Sequence, residues 1–206
     1  MSRPMVTNHN DQSKPDGDET TALIVPVPEA DPAVEPWRRR YTKGGPRGMP
    51  PHVTVLYPFT PAGALDESAL NALAHVIARR RAFTFALPSL DRFHDGVLVL
   101  SVDPREPFNA LIGDVCAAFP AFEPYGGQFA PEEVIPHCTV AVAASYPSGI
   151  SDADEEIFME AESDLAPVLP INSSASAVWL MADTSEGWEK LGTFALAGSA
   201  ATRGQQ

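Results

Sequence analysis

The chain writes one five-residue pattern twice, as Pro51-His52-Val53-Thr54-Val55 and as Pro136-His137-Cys138-Thr139-Val140. With five His in 206 residues, chance supplies roughly 0.25 of a His-x-Thr step in a chain of this length. The shared Pro and Val make coincidence rarer still. Both copies open apolar, β-branched runs, 52–57 and 137–142, that read as strands. Residues two apart on a strand share a face, so each imidazole stands beside a Thr hydroxyl.

Histidine is the side chain whose ordinary pKa lies nearest neutrality, so two of them can divide proton transfer, one taking and one giving. The two hydroxyls can donate to phosphoryl oxygens as charge builds on them. Such a site needs no metal. A single strand His beside a Thr is more often a half-buried polar pair; two with matching flanks favour a site.

At these residues the chain resembles the 2H phosphoesterase superfamily, the group that includes bacterial 2′-5′ RNA ligases and cyclic phosphodiesterases. Its two His-x-Thr/Ser-x motifs end on an apolar residue, and His52, Thr54, Val55 and His137, Thr139, Val140 fill every defined position. The resemblance spans about residues 22–197, although only the motifs are specific. It implies an α+β fold of two pseudo-symmetric lobes, each a small antiparallel sheet backed by helices, with the active-site cleft between them. It also implies attack at a phosphorus bonded to ribose oxygens: opening a 2′,3′-cyclic phosphate, cleaving a 2′-5′ linkage, or the reverse ligation. His52 and His137 would be the general acid and base, and Thr54 and Thr139 would orient the phosphate, with no metal and no cofactor. The motifs do not say which imidazole takes the proton.

Composition sets the limits. At 44% hydrophobic residues the chain can bury one core. No apolar run approaches the length of a membrane span, and the polar stretch 1–20 is unlike a signal peptide. Two cysteines without a Cys-x-x-Cys favour a reducing cytoplasm over a structural zinc site. The expected organisation is a tail at 1–20, one two-lobed domain over 21–198, and a tail at 199–206. The lobe boundary is expected near Asp103-Pro104, and the protein is expected to be a monomer.

A net charge of −13 argues against duplex DNA, whose binding rests on many phosphate contacts. Yet five of the fourteen basic residues, Arg38, Arg39, Arg40, Lys43 and Arg47, crowd into 37–48 with no acid among them. Leading into the first motif, this segment reads as a flexible basic loop or lid that draws phosphate inward. Arg40, Tyr41, Lys43, Arg47 and Tyr125 are the candidate substrate loop. A mononucleotide, a short oligonucleotide or one RNA end fits this pattern.

Further strands are expected at 22–28, confined to an edge by Pro26 and Pro28, and at 83–87, 96–102, 175–181 and 193–197. Helices are expected at 66–81, at 106–119 and, capped by Ser151, to about 164, the last as a solvated acidic face. Tyr57 counts onto the face opposite His52 and reads as core, while Trp37, Phe59, Tyr41 and Tyr125 could stack on a base. His75, His94 and His9 read as structural, exposed or tail residues. Two rival readings stand beside the enzyme. One is a sensor that binds a cyclic nucleotide or RNA end without turnover; the other is a metal hydrolase, weakened by the lack of acids at ligand spacing.

Overall fold

The computed structural model describes residues 20–93 and 96–199. The expected tails and His9 and His94 therefore lie almost wholly outside the described residues. The fold is α+β. Its strands are β1 Thr21–Pro26, β2 His52–Leu56, β3 Phe83–Leu87, β4 Leu90–Phe93, β5 Val97–Ser101, β6 His137–Val142, β7 Ile171–Ala175, β8 Ala177–Asp183 and β9 Trp188–Ala195. The helices are α1 Asp31–Tyr41, α2 Glu67–Ala78, α3 Glu106–Ala118 and α4 Asp152–Leu165. Seven strands form one antiparallel sheet in the order β4-β5-β6-β2-β1-β8-β9, and β3 pairs with β7 in a separate ribbon.

The element order is an internal repeat that the letters hide. β1-α1-β2-α2-β3-β4 is followed by β5-α3-β6-α4-β7-β8, and a pseudo-twofold between β2 and β6 exchanges the two runs. The last sheet strand of each run crosses over: β4 pairs with β5, and β8 pairs with β1. The two-lobed plan thus takes the form of two half-sheets joined edge to edge at the motif strands. The repeats part between β4 and β5, not at Asp103-Pro104, which lies inside the second run between β5 and α3.

Alternation on the motif strands drives the packing. Val53, Val55, Cys138 and Val140 are at most 2% exposed and share one core with Val34 and Trp37 of α1 and Phe108, Leu111, Ile112 and Val115 of α3. Each such side chain contributes about 1.5–3 kcal/mol on burial. Slipping either strand by one residue would push an imidazole into that core, so the register is strongly specified.

Three expectations change. β1 is a central strand rather than an edge, because Pro26 is its last residue and Pro28 already belongs to the following 3-10 turn. The segment 37–48 is not one flexible loop: α1 runs through Tyr41, with Val34, Trp37 and Arg38 on its buried face. Pro32 and Pro36 mask it in the sequence. Pro32 sits in the first turn, where no intrahelical donor is required, and Pro36 forgoes one bond. The acidic helix α4 is only partly a solvated face, since Asp154 is buried and Glu155 and Glu162 hold Arg92 of β4.

The remaining helices follow their signals. Asp66 caps α2 by accepting from the Ala69 N–H at 2.7 Å, and Ser151 caps α4 by accepting from the Asp154 N–H.

Candidate active site

β2 and β6 meet at one rung among the described residues, Val53 opposite Cys138. Counting one residue outward each way sets His52 beside Thr139 and Thr54 beside His137, all on the face opposite the core. The pseudo-twofold therefore gives each imidazole its own Thr along the strand and the other motif's Thr across it. All four side chains are half-buried.

Each imidazole is tethered in the same way. The Nδ1–H of His52 donates to the Pro50 carbonyl at 2.6 Å, and that of His137 to the Ile135 carbonyl at 2.7 Å. A carbonyl can only accept, so both rings carry their proton on Nδ1 and leave Nε2 as the nitrogen that exchanges protons. The repeated prolines explain the match. Pro50 and Ile135 each precede a proline, which restricts them to extended backbone. The Pro of the sequence motif thus sets the tautomer of the His after it.

The two rings differ in their surroundings. Burial, the Arg38 charge and the neighbouring His137 push the His52 pKa down to about 3, against a lift from the Pro50 carbonyl. His52 is accordingly neutral at pH 7. The Phe93 ring stands edge-on to His137, 4.9 Å between centroids.

A chamber of about 1050 Å³ opens on this face, at the top of the usual size for a small-molecule pocket. His137 and Thr139 line it, while His52 and Thr54 lie beside it across the β2–β6 junction. Its walls include Phe93, Val142, Tyr146, Phe129 and Ile135; Phe129, Ile135 and Tyr146 remain 44–47% exposed. A register shift between Leu98 and Val99 in the β5–β6 pair accompanies the turning of Val142, rather than buried Ala141, into the chamber. These apolar residues escaped the sequence reading because they come from four separate segments.

The other half of the same face is closed. Ala22, Ile24, Met49 and Met181 form a small buried cluster with Trp179 and Trp188 packed on it. The 3-10 turn Gly45–Arg47 lies over this end. A Cβ on Gly45 would collide with the Arg38 carbonyl, so only glycine allows the close approach.

The candidate substrate residues divide. Arg40, Tyr41, Lys43 and Tyr125 line the chamber; Arg47 does not. Its guanidinium donates to Asp183 and to the Thr184 carbonyl, both at 2.6 Å, and staples the turn to the end of β8. Arg39 is an exposed i,i+4 partner of Glu35, and Arg38 is buried behind the site. Tyr57 is 38% exposed rather than core and meets the edge of Trp188. Trp37 and Phe59 are buried, and His75 lies on the exposed side of α2.

Tyr125 is held unusually. Its backbone is left-handed, φ 52°, and its N–H donates to the Tyr57 carbonyl at 2.6 Å. Burial pushes its phenol up to about 12, partly offset by a hydrogen bond with the Thr54 hydroxyl. A non-glycine residue in this region costs of order 1–3 kcal/mol and persists only where its surroundings impose it. Among the described residues no group of three His, Cys, Asp or Glu side chains is placed to hold a metal ion.

The family model of the 2′-5′ RNA ligase superfamily matches residues 26–185. No curated protein matches the sequence. Among solved structures, E. coli LigT complexed with 3′-AMP superimposes with a TM-score of 0.52 at 14% identity, covering 87% of this chain and 98% of that one. LigT complexed with NADP+ gives 0.51 at 16%, with 87% and 98% covered. TT0787 of Thermus thermophilus gives 0.52 at 16%, with 88% and 100% covered. At these identities the likeness is one of fold. Taken with the match over most of its length, it shows that the chain belongs to the 2′-5′ RNA ligase superfamily within the 2H phosphoesterases, a membership that supports phosphoesterase-type chemistry.

Proposed function

We propose that this protein is a metal-independent phosphoesterase acting on 2′,3′-cyclic phosphate or 2′-5′ phosphodiester bonds of nucleotides or RNA ends. The observation that carries this reading is the pair of imidazoles with identical Nδ1 tethers, set on one sheet face beside two threonines. A phosphate seated between them accepts from the Thr54 and Thr139 hydroxyls as negative charge grows on its oxygens. One Nε2 removes a proton from water while the other Nε2–H delivers one to the departing ribose oxygen. In the ligation direction the roles exchange.

His52, which lies beside the chamber across the β2–β6 junction, is assigned the base. His137, on the chamber wall, is assigned the acid, because the chamber has room for the organic part of the leaving group. Arg40 and Lys43 lie where a further phosphate of the substrate would sit, and the aromatic walls suit a base. That LigT has been solved with 3′-AMP and with NADP+ supports a nucleotide as the ligand class. One chain supplies all four motif side chains, so a monomer suffices. No described helix is long and apolar enough to cross a membrane, and both cysteines are free and buried, which suits a reducing cytoplasm.

The test is incubation of the full chain, with chelator present, with the four 2′,3′-cyclic mononucleotides and a 2′-5′-linked dinucleotide. Turnover to a product with the phosphate on one defined ribose oxygen is expected. Binding without turnover would replace the enzyme by a sensor, and loss of turnover on chelation would replace the mechanism. An activated aryl leaving group, which needs no proton, should restore more rate to His137→Ala than to His52→Ala; the opposite order would exchange acid and base.

A further inference from the structure

Arg38 is 2% exposed, and a buried cation costs several kcal/mol unless its surroundings compensate it. The planar fork of its guanidinium makes two bonds. Nη1 donates to the Thr139 carbonyl at 2.8 Å and Nη2 to the Met49 carbonyl at 3.1 Å. Thr139 belongs to the second motif, and Met49 precedes Pro50, whose carbonyl tethers His52. β2 and β6 share only the Val53–Cys138 rung among the described residues, so the fork bridges the chain segments where the ladder has parted.

The charge itself is incompletely compensated. Nε lies 3.9 Å from Glu35 Oε2, and neither atom has a hydrogen-bond partner. A side chain needed only to fill space behind the sheet would not have to be charged.

We propose that Arg38 is a positioning residue of the site: its fork holds the two motif segments in place from behind, and its charge acts on His52 without touching substrate. The charged and titratable groups facing His52 are few. Arg38 comes from α1, with Asp31 and Glu35 of the same helix acting on Arg38 in turn. From β6 comes His137; the Cys138 thiol, held neutral by burial, lies on the core side and acts on Arg38 instead. On β1 the residue opposite His52 is Pro26, which carries no charge. Removing Arg38 therefore removes the largest electrostatic opposition to protonating His52.

The catalytic part of this inference rests on the proposed phosphoesterase reading; the effect on the imidazole does not. The experiment pairs Arg38→Met, which keeps length without charge, with Arg38→Lys, which keeps charge without the fork. The His52 ring Cε1–H is followed by NMR against pH, beside kcat and KM on whichever substrate the wild type turns over. In Arg38→Met the His52 midpoint should rise, and kcat should fall about 10- to 100-fold with KM within threefold. Arg38→Lys should keep the midpoint low while recovering only part of kcat. A folded Arg38→Met protein whose His52 titrates as in the wild type would overturn the proposal. If that variant does not fold, a raised His52 midpoint in Arg38→Lys, with charge retained, would overturn it equally. A wild type without turnover would sink the phosphoesterase reading while leaving the imidazole titration decisive for Arg38.

Discussion

The Tyr125 N–H donates to the Tyr57 carbonyl at 2.6 Å, and Tyr125 stands in the left-handed region at φ 52° with its phenol beside Thr54. This ties the first motif to the loop before the second. Tyr125→Phe keeps the ring and removes the hydroxyl beside Thr54. A neutral hydrogen bond is worth about 0.5–1.5 kcal/mol, and kcat should fall about 2- to 12-fold by that conversion. Thr54→Val, which removes the proposed phosphate donor, should cost about 10- to 100-fold. Steady-state kinetics of both variants checks the order; equal losses would mean that Tyr125 touches substrate directly.

Charge near the first motif is not used uniformly. Arg40 and Lys43 line the chamber, whereas Arg47 is engaged by Asp183 and Thr184. Arg40→Ala and Lys43→Ala should each raise KM for an oligonucleotide severalfold, with weaker effect as salt rises. Arg47→Ala should leave KM within twofold and cost at most about 1 kcal/mol of stability, as exposed pairs do. KM values at two salt concentrations, with urea midpoints for Arg47→Ala, measure both.

His52 and Asp154 both make stability fall in acid, in different pH windows. The His52 pKa is depressed in the fold from its ordinary 6.5 to about 3, so protons bind the unfolded chain more readily between those values. Its contribution is complete above about pH 6.5 and declines as pH falls towards 3. Ser151 Oγ–H, then the Ala144 and Ser151 N–H groups, hold the Asp154 carboxyl below its ordinary 3.8, so its contribution fades only below that pH. Urea midpoints measured from pH 7.5 to 4 should fall, and His52→Ala should flatten most of that slope.

The motifs were legible because their chemistry is local: an imidazole and a hydroxyl two residues apart on a strand share a face whatever the rest of the chain does. α2 was legible from its apolar spacing, α3 from the Pro120 that follows it and α4 from its Ser151 cap and acidic first turn. What was hidden is non-local. α1 was hidden behind Pro32 and Pro36, so Arg38, Arg39 and Arg40 looked like one basic loop although the helix sends them in different directions. β4 and β7 are short and lack a distinct alternation, and their pairing with β5 and β3 comes from the crossover of the two repeats. The apolar chamber wall is assembled from separate segments and leaves no contiguous trace.

Joint action of His52 and His137 on one phosphate is tested most directly by the single-turnover rate of the wild type, His52→Ala and His137→Ala. The substrate is the preferred phosphodiester, with chelator present. Each variant should lose about 10²–10⁴-fold, and the double variant should lose little more than the worse single, because residues that act as a unit are not additive. A variant of either histidine that retained more than a tenth of the wild-type rate would contradict the account.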